Sequence, residues 1–550
     1  MAYDKNKSKA QDKIDKYQEL VGGRRNFESY WQTLHDYYYV ESQDVNRSYA
    51  PGTELNADYL YDSTTLEAAD ILASGFMNYL TPPTSKWFRL RAKNPQLSED
   101  KEVSDFLEDV TDEIYHTLNK GNFYDQAFPS YKASGVYGTS ILMEEEDVEE
   151  NARFLNLPIK QVCILEDTKG RVIEYYIEFE YTAYQAMTRW GKEKLSKELQ
   201  EELERRTETK HKFLLVIGQR YDRDTSKSDR LNMPIEAVWI DVKARTTMDE
   251  GGYNEMPAMT HRFDKRPFIP WGFSPAMKAL PFSRLLNAVA KTNLRMMMKH
   301  TDPPIAVPDN AFLMPFNANP RAVNYYNKKV MSSGADMFAF GNYGEPKVGV
   351  YALEYYSAKV KSLMYNDVFL AFEGLTKQMN NPEVMERINE KMTLLGPAVG
   401  RYTGEILNPV IIRTIGILFR RGVLPPIPDA LIEDPQYEID YVSQLAQAQK
   451  RSQLNSLVTA LTMAGQMAQF APEVLDKIHP DKTIDEVWTI TGAPVRVLRD
   501  DDEILKIREG RAAQAAKVQQ MEMIGAGASI AETASKADAN MAAAEKEVKE

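Results

Sequence analysis

The hydrophobic period changes twice along this 550-residue chain, and that alternation restricts the fold more than any single motif. From residue 1 to about 150 the spacing is helical. Leu66, Ala69, Leu72, Phe76 and Leu80 fall on one face, and Thr64 with Glu67 has the spacing of a capping box at the helix start. Pro82 stops this helix, and Trp87 to Arg91 then alternate as a short strand whose Arg89 and Arg91 are expected to face water or a neighbour. A further helix spans 123–137, with a kink expected at Pro129.

From about 139 to 265 the period is two. In "RVIEYYIEFEY", Ile173, Tyr175, Ile177, Phe179 and Tyr181 lie on one side and Glu174, Glu178 and Glu180 on the other. Lys169-Gly170 supplies a turn back to "KQVCILED". A Glu- and Lys-rich helix from Thr182 to about Arg206 follows, then the strands "KFLLVIGQRY", "IEAVWIDVKA" and "PAMTHRFD". At Pro281 the helical period returns. Helices are expected from there to 300 and from Glu354 to about Lys377. A long helix after Pro382 carries Val384, Ile388, Met392, Leu395, Val399, Tyr402 and Ile406 on one stripe, with kinks at Pro397 and Pro409. Beyond "LPPIPDALIEDPQ" the segments 440–471 and 472–500 read as helical, and an Ala/Glu-rich end frays around "GAGAS". The class is α+β, helix-rich, with an antiparallel-leaning middle.

Composition excludes more than it selects. The single cysteine, Cys163, rules out an internal disulfide framework and sits in a strand as a small buried hydrophobe. The charged start "MAYDKNKSKAQDKIDKYQEL" does not read as a secretory signal, and no apolar run is long enough for a membrane span. A net charge of −13 argues against coating DNA through bulk charge. "GAGASI" lacks the lysine of a phosphate loop, "YGTSIL" around Ser140 is no nucleophile elbow, and the six histidines have no metal-ligand spacing. No catalytic residue, metal site or cofactor is therefore expected. Asp222 and Asp224, with Asp500, Asp501 and Asp502, have the chemistry to hold a hard cation, and a metal-dependent nuclease or phosphotransferase would use Asp222 and Asp224; the usual surface role of charged residues reads all five as solvated turns.

Two features fit attraction to phosphates or to acidic partner surfaces, though a solvated helix face and an ordinary helix–helix loop account for them too. Arg284, Lys291, Arg295 and Lys299 lie seven, four and four residues apart, on one helical stripe, and between 283 and 331 the only acids are Asp302 and Asp309. An exposed amphipathic face accounts for the same stripe. "TKQMNNPE" interrupts two helices and offers Lys377, Gln378, Asn380 and Asn381, donors that suffice for sequence-blind phosphate contact.

The order of "ILASGFMNYLTPPTSKWFRL", "VYGTSIL", "WGFSPAMKALP", "HTDPPIAVPD" and "RVLRDDDEI" resembles the portal, or head-to-tail connector, proteins of short-tailed double-stranded-DNA phages, over residues 25 to 510. The resemblance implies a homo-oligomeric ring, usually of twelve, at one capsid vertex, with wing, stem, clip and crown around an axial channel for double-stranded DNA. It implies a wing at 1–280, stem helices at 281–300 and 354–376, a clip at 301–353, and a channel loop at 377–381. A long kinked wing helix and linker would fill 382–429, a helical crown 430–510, and a helical or disordered tail 511–550. Lys328, Lys329 and Lys347 become clip-surface candidates for docking. Implied partners are the terminase large subunit, which would hydrolyse ATP, the major capsid and scaffolding proteins, and a tail adaptor, with no membrane. The place is the virion, reached from the host cytoplasm. A non-channel adaptor or tail protein is the alternative.

Overall fold

The computed structural model describes residues 5–41, 45–46, 57–94, 97, 100–206, 208–227, 229–301, 305–306, 338–339, 346–375, 395–433, 436–442, 457–467, 470, 478–491, 503–514 and 517. Two compact units divide the chain: Met1–Trp87 with Val110–Pro425, and Phe88–Asp109 with Pro426–Glu550. The chain order begins α1 (Lys5–Tyr38), α2 (Thr64–Leu80), β1 (Phe88–Ala92), α3 (Lys101–Lys120) and α4 (Phe123–Tyr137). It continues β2 (Thr139–Asp147), β3 (Asn151–Leu157), β4 (Val162–Glu166), β5 (Val172–Thr182), α5 (Ala183–Trp190) and α6 (Lys197–Arg205). Then come β6 (Lys210–Gln219), β7 (Ile235–Asp241), β8 (Thr246–Tyr253), β9 (Ala258–Arg262), α7 (Pro275–Thr301), α8 (Pro346–Leu363), α9 (Asn366–Leu375) and α10 (Asn408–Arg421).

The first unit holds a five-stranded antiparallel sheet, β4-β5-β6-β7-β8. The expected hairpin joins β4 to β5 through Gly170, whose N–H bonds to the Asp167 carbonyl. Alternation fades at the centre of this sheet, where Tyr175, Tyr176 and Ile177 are all buried, as are Phe213 to Ile217. The reason is cover on both faces. On one face α1 lays Ala10, Ile14 and Tyr17 against Cys163, Tyr176, Leu214, Val216, Val238 and Ile240. On the other, Trp190 at the end of α5 meets Phe213 and Trp239 at ring-centroid distances of 5.1 and 5.2 Å. Burial pushes the Cys163 thiol up to about 11, so it is inert filler.

A second sheet, β3-β2-β9, lies under α4, whose residues from Ser130 to Tyr137 are all buried. The chain leaves α4 through Gly138 at φ 81, and a Cβ there would run into the Gly272 carbonyl. Across β2 runs α10. Arg413, with no exposed surface, donates from Nε to the Glu144 carbonyl (3.1 Å) and from Nη1 to the Glu255 carbonyl (2.9 Å). Thr414 donates its hydroxyl to Glu144 Oε1 at 2.9 Å.

Several expectations are corrected. The helix at 64 has Ser63 as its N-cap with no side-chain cap; Asp62 accepts the Thr64 N–H (2.8 Å), and the Thr64 hydroxyl meets Ser357 Oγ (3.3 Å). So no capping box forms with Glu67. The helix expected over 182–206 breaks at Gly191 into α5 and α6, and β8 is an additional strand. The capping box sits instead at Thr182 and Gln185. The helix placed at Pro281 begins six residues earlier, where Ser274 Oγ accepts the Met277 N–H (3.0 Å) and Pro281 is taken into the helix. The helix expected over 354–377 is two, α8 and α9, parted at Tyr365 with φ 60. In place of a simple kink at Pro409 there is a π-helical turn, Thr403–Leu407, in which the Asn408 N–H reaches the Thr403 carbonyl. The wider turn lets Pro409 follow without the clash its ring makes in an α-helix.

The second unit holds an unforeseen pairing. β1, expected with the N-terminal segment, runs antiparallel to Tyr437–Tyr441, where residues 440 and 441 were expected to be helical. Arg89 faces neither water nor a neighbour alone; its Nε donates to Asp440 Oδ2 at 2.8 Å. Helices cover 457–467, 480–491 and 503–514 among the described residues.

Burial raises the Glu144 carboxyl to about 8, so the folded protein holds a proton that the unfolded chain releases near 4.5. The stability linked to this proton is complete below pH 4.5 and lost as pH rises toward 8. Glu144→Gln should raise the melting temperature above pH 8, by a stabilisation of about 1–3 kcal/mol, and change it little at pH 4. Calorimetry across that pH range checks this.

Candidate functional site: the α7–α8 helix pair

The basic stripe lies on α7, and α7 packs along α8. The first half of α7 is rooted in the core. Ala276, Ala279, Leu280, Ser283 and Leu286 are buried, and Tyr38 Oη meets Ser283 Oγ at 2.5 Å. Asn287 fastens the chain before α2 by accepting the Tyr61 N–H (2.7 Å) and donating to the Tyr59 carbonyl (2.9 Å). On α8, Val360 is buried and Lys361 pairs with Glu67 at 3.1 Å.

At 100° per residue, Ser283, Leu286, Ala290 and Asn293 share the inward face of α7, and Arg284, Lys291, Arg295 and Lys299 fall on the opposite one. Arg284, Arg295 and Lys299 are exposed; Lys291 is half-buried, its ammonium 5.1 Å from the Tyr61 ring centre. The stripe therefore faces away from the chain's own core. Toward the far end both helices also expose apolar side chains: Leu294, Met297 and Met298 on α7, and Val350, Tyr351 and Tyr355 on α8. Tyr351 is 74% exposed, which a lone soluble helix pair has no reason to leave bare.

The helices approach tightly where buried Asn293 meets Gly349; a Cβ on Gly349 would land on the Asn293 amide oxygen. That oxygen has no hydrogen-bond partner among the described residues.

Of the other residues singled out by sequence, Lys377, Gln378, Asn380, Asn381, Lys328 and Lys329 lie outside the described residues, as do Asp500, Asp501 and Asp502. Lys347 lies in the first turn of α8. Asp222 and Asp224 are exposed, and Asp224 braces its own turn by accepting from Ser226 Oγ (2.6 Å) and N (3.1 Å), bonds that hold its carboxyl below the usual range. Among the described residues no three His, Cys, Asp or Glu side chains are grouped to hold a metal, and no helix is long and apolar enough to cross a membrane.

Sequence reasoning missed the buried polar groups. His261 is fully enclosed, with Nδ1 2.7 Å from Ser134 Oγ, and burial lowers it to about 3, so the ring is neutral. Arg262 bridges Glu166 and Glu405; the latter belongs to the π turn and accepts from Arg262 Nη2 at 2.7 Å. No local pattern marks such pairs, since their partners lie 96 and 143 residues away.

Residues 10–498 match the family described as bacteriophage head to tail connecting protein, and the chain belongs to it. Two relatives are similar along nearly their whole length. The portal protein of Salmonella phage epsilon15 is 30% identical over 94% of both chains, and the probable portal protein of Bordetella phage BPP-1 is 28% identical over 94% of both.

Gly349→Ala should cost stability when Asn293 is present and add about 1 kcal/mol when Asn293 is Ala, because only helix propensity then remains. Urea denaturation of the two single variants and the double variant reads this reversal of sign.

Proposed function

We infer that this chain is a portal subunit: copies of it close a ring at one capsid vertex, and the ring connects head to tail. The observation that carries the reading is the α7–α8 pair in a chain of this family. Its inner half is rooted in the core, and its outer half bares Leu294, Met297, Met298, Val350, Tyr351 and Tyr355. Neighbouring copies in a ring would cover that surface, and heterologous contacts that close leave no sticky end.

The finer assignment follows the family order. α7 and α8 serve as stem helices, and the residues between them, with Lys328, Lys329 and Lys347, as a clip that meets the terminase large subunit during packaging and the tail adaptor afterwards. Lys377, Gln378, Asn380 and Asn381 line the narrowest part of the channel. The wing takes in the five-stranded and three-stranded sheets of the first unit. The acidic balance of −13 suits a wall past which DNA slides without sticking, with a few cations or amides limiting repulsion. The protein acts in this reading as a conduit and docking ring in the virion, assembled in the host cytoplasm with capsid and scaffolding proteins. Chemical work falls to the motor.

Purified protein should form closed rings with a central hole, seen by negative stain and native mass measurement; a chain that stays monomeric with scaffolding protein added would move the reading to an adaptor or tail component. In rings that assemble normally, Lys377→Glu with Asn380→Asp and Asn381→Asp should lower the number of DNA-filled heads. Normal filling would take this loop out of the channel.

A further inference from the structure

One turn breaks a local rule at the surface. The antiparallel ribbon of Asp264–Lys265 and Gly272–Phe273 ends in "RPFIP". The Ile269 N–H bonds back to the Arg266 carbonyl, so Arg266 to Ile269 form a four-residue turn with Pro267 second and Phe268 third. Phe268 has φ 63. Proline second with a positive φ third is the pattern of a type II turn, whose third position favours glycine or asparagine. Here a phenylalanine takes it, and its side chain is 101% exposed. The tip is held rigidly: Lys265 Nζ donates to the Ile269 carbonyl (2.5 Å) and to Glu166, and the Arg266 guanidinium lies 3.8 Å over the Phe273 ring. Among the described residues nothing covers this aromatic ring, which a strained backbone presents on a braced turn.

Among its described residues the same unit carries a largely apolar recess. A surface cavity of about 90 Å³ is lined by Tyr39, Val45, Tyr137, Leu157 and Ile159, with half-buried Lys160 beside them. Next to Tyr39 stands the half-exposed carboxylate of Glu41; it pairs with buried Lys132 (2.8 Å), which also holds Asp70 (2.6 Å), so this group of three carries one negative charge in excess. A cation beside Phe268 and an anion beside the recess make the two features complementary in charge as well as in polarity.

We propose that Phe268 is an inter-subunit knob, and that it seats in the Tyr39–Tyr137–Ile159 recess of the next copy in the ring. The proposal rests on the portal reading, because a ring of identical subunits needs two different, mutually complementary patches on each copy. Arg266 then approaches the neighbouring Glu41, and Lys160 the face of the inserted ring. The fixed turn spares the ordering cost that a flexible anchor would meet on binding.

Cys163 is buried, so introduced cysteines are the reactive ones. Oxidised rings of the Phe268→Cys/Lys160→Cys double variant should run as a ladder of covalent oligomers that reductant collapses, and neither single variant should do so. Phe268→Ser should lower the fraction of chain in rings roughly tenfold or more at limiting concentration, as loss of an aromatic anchor does, with an unchanged melting temperature. Rings that form normally from Phe268→Ser and show no ladder in the double variant overturn the knob and leave the portal reading standing. Covalent dimers from Phe268→Cys alone would mean a tip-to-tip contact and overturn it too. A native chain that never forms rings removes both.

Discussion

Arg413, a guanidinium with no surface in contact with solvent, holds the last long helix of the first unit onto its central strand. Removing a cation from water is costly, and it is tolerated here because two backbone carbonyls, the Glu255 carboxylate at 3.5 Å and the Tyr253 ring at 5.1 Å surround it. Glu144, on the strand beneath, stays protonated through burial and accepts from Thr414. Outward along the helix, Arg420 continues the contact with Glu255 and Glu146. The placement of β2 determines that of β3 and β9, and through β9 that of Arg262 and the π turn.

The polar anchors fix the helix position more narrowly than an apolar seam would. Hydrophobic contact is non-directional and lets a helix slide, whereas the Arg413 and Arg262 bonds specify one register. Helix α7 is rooted differently, through small residues and the Tyr38–Ser283 and Asn287 contacts, and its outer half, like that of α8, exposes apolar side chains.

Much of the first unit is legible from pattern. The period of two in "RVIEYYIEFEY" reports β5, and Lys169-Gly170 reports its hairpin to β4, because both depend on neighbours in the chain. The cation spacing of α7 reports a common face for the same reason. The pattern misleads where a distant partner intervenes. Ser274, not Pro281, starts α7, since the serine side chain is placed by the Val136 carbonyl, 2.7 Å away. β1 looks like a continuation of the N-terminal scaffold until Tyr437–Tyr441 pairs with it from some 350 residues on.

The sequence by itself determined the class of fold, the helix and strand periods, the common stripe of the four cations on α7 and the family, because each is carried by residues close together or by an ordered series of motifs. The tertiary structure alone decided the division into two units, the buried Arg413–Glu144 and Arg262–Glu405 contacts, and the exposed strain at Phe268. Each of those depends on what lies across a gap in space. A charged residue that ends up buried, or an aromatic one that ends up bare, looks in sequence like any other of its kind.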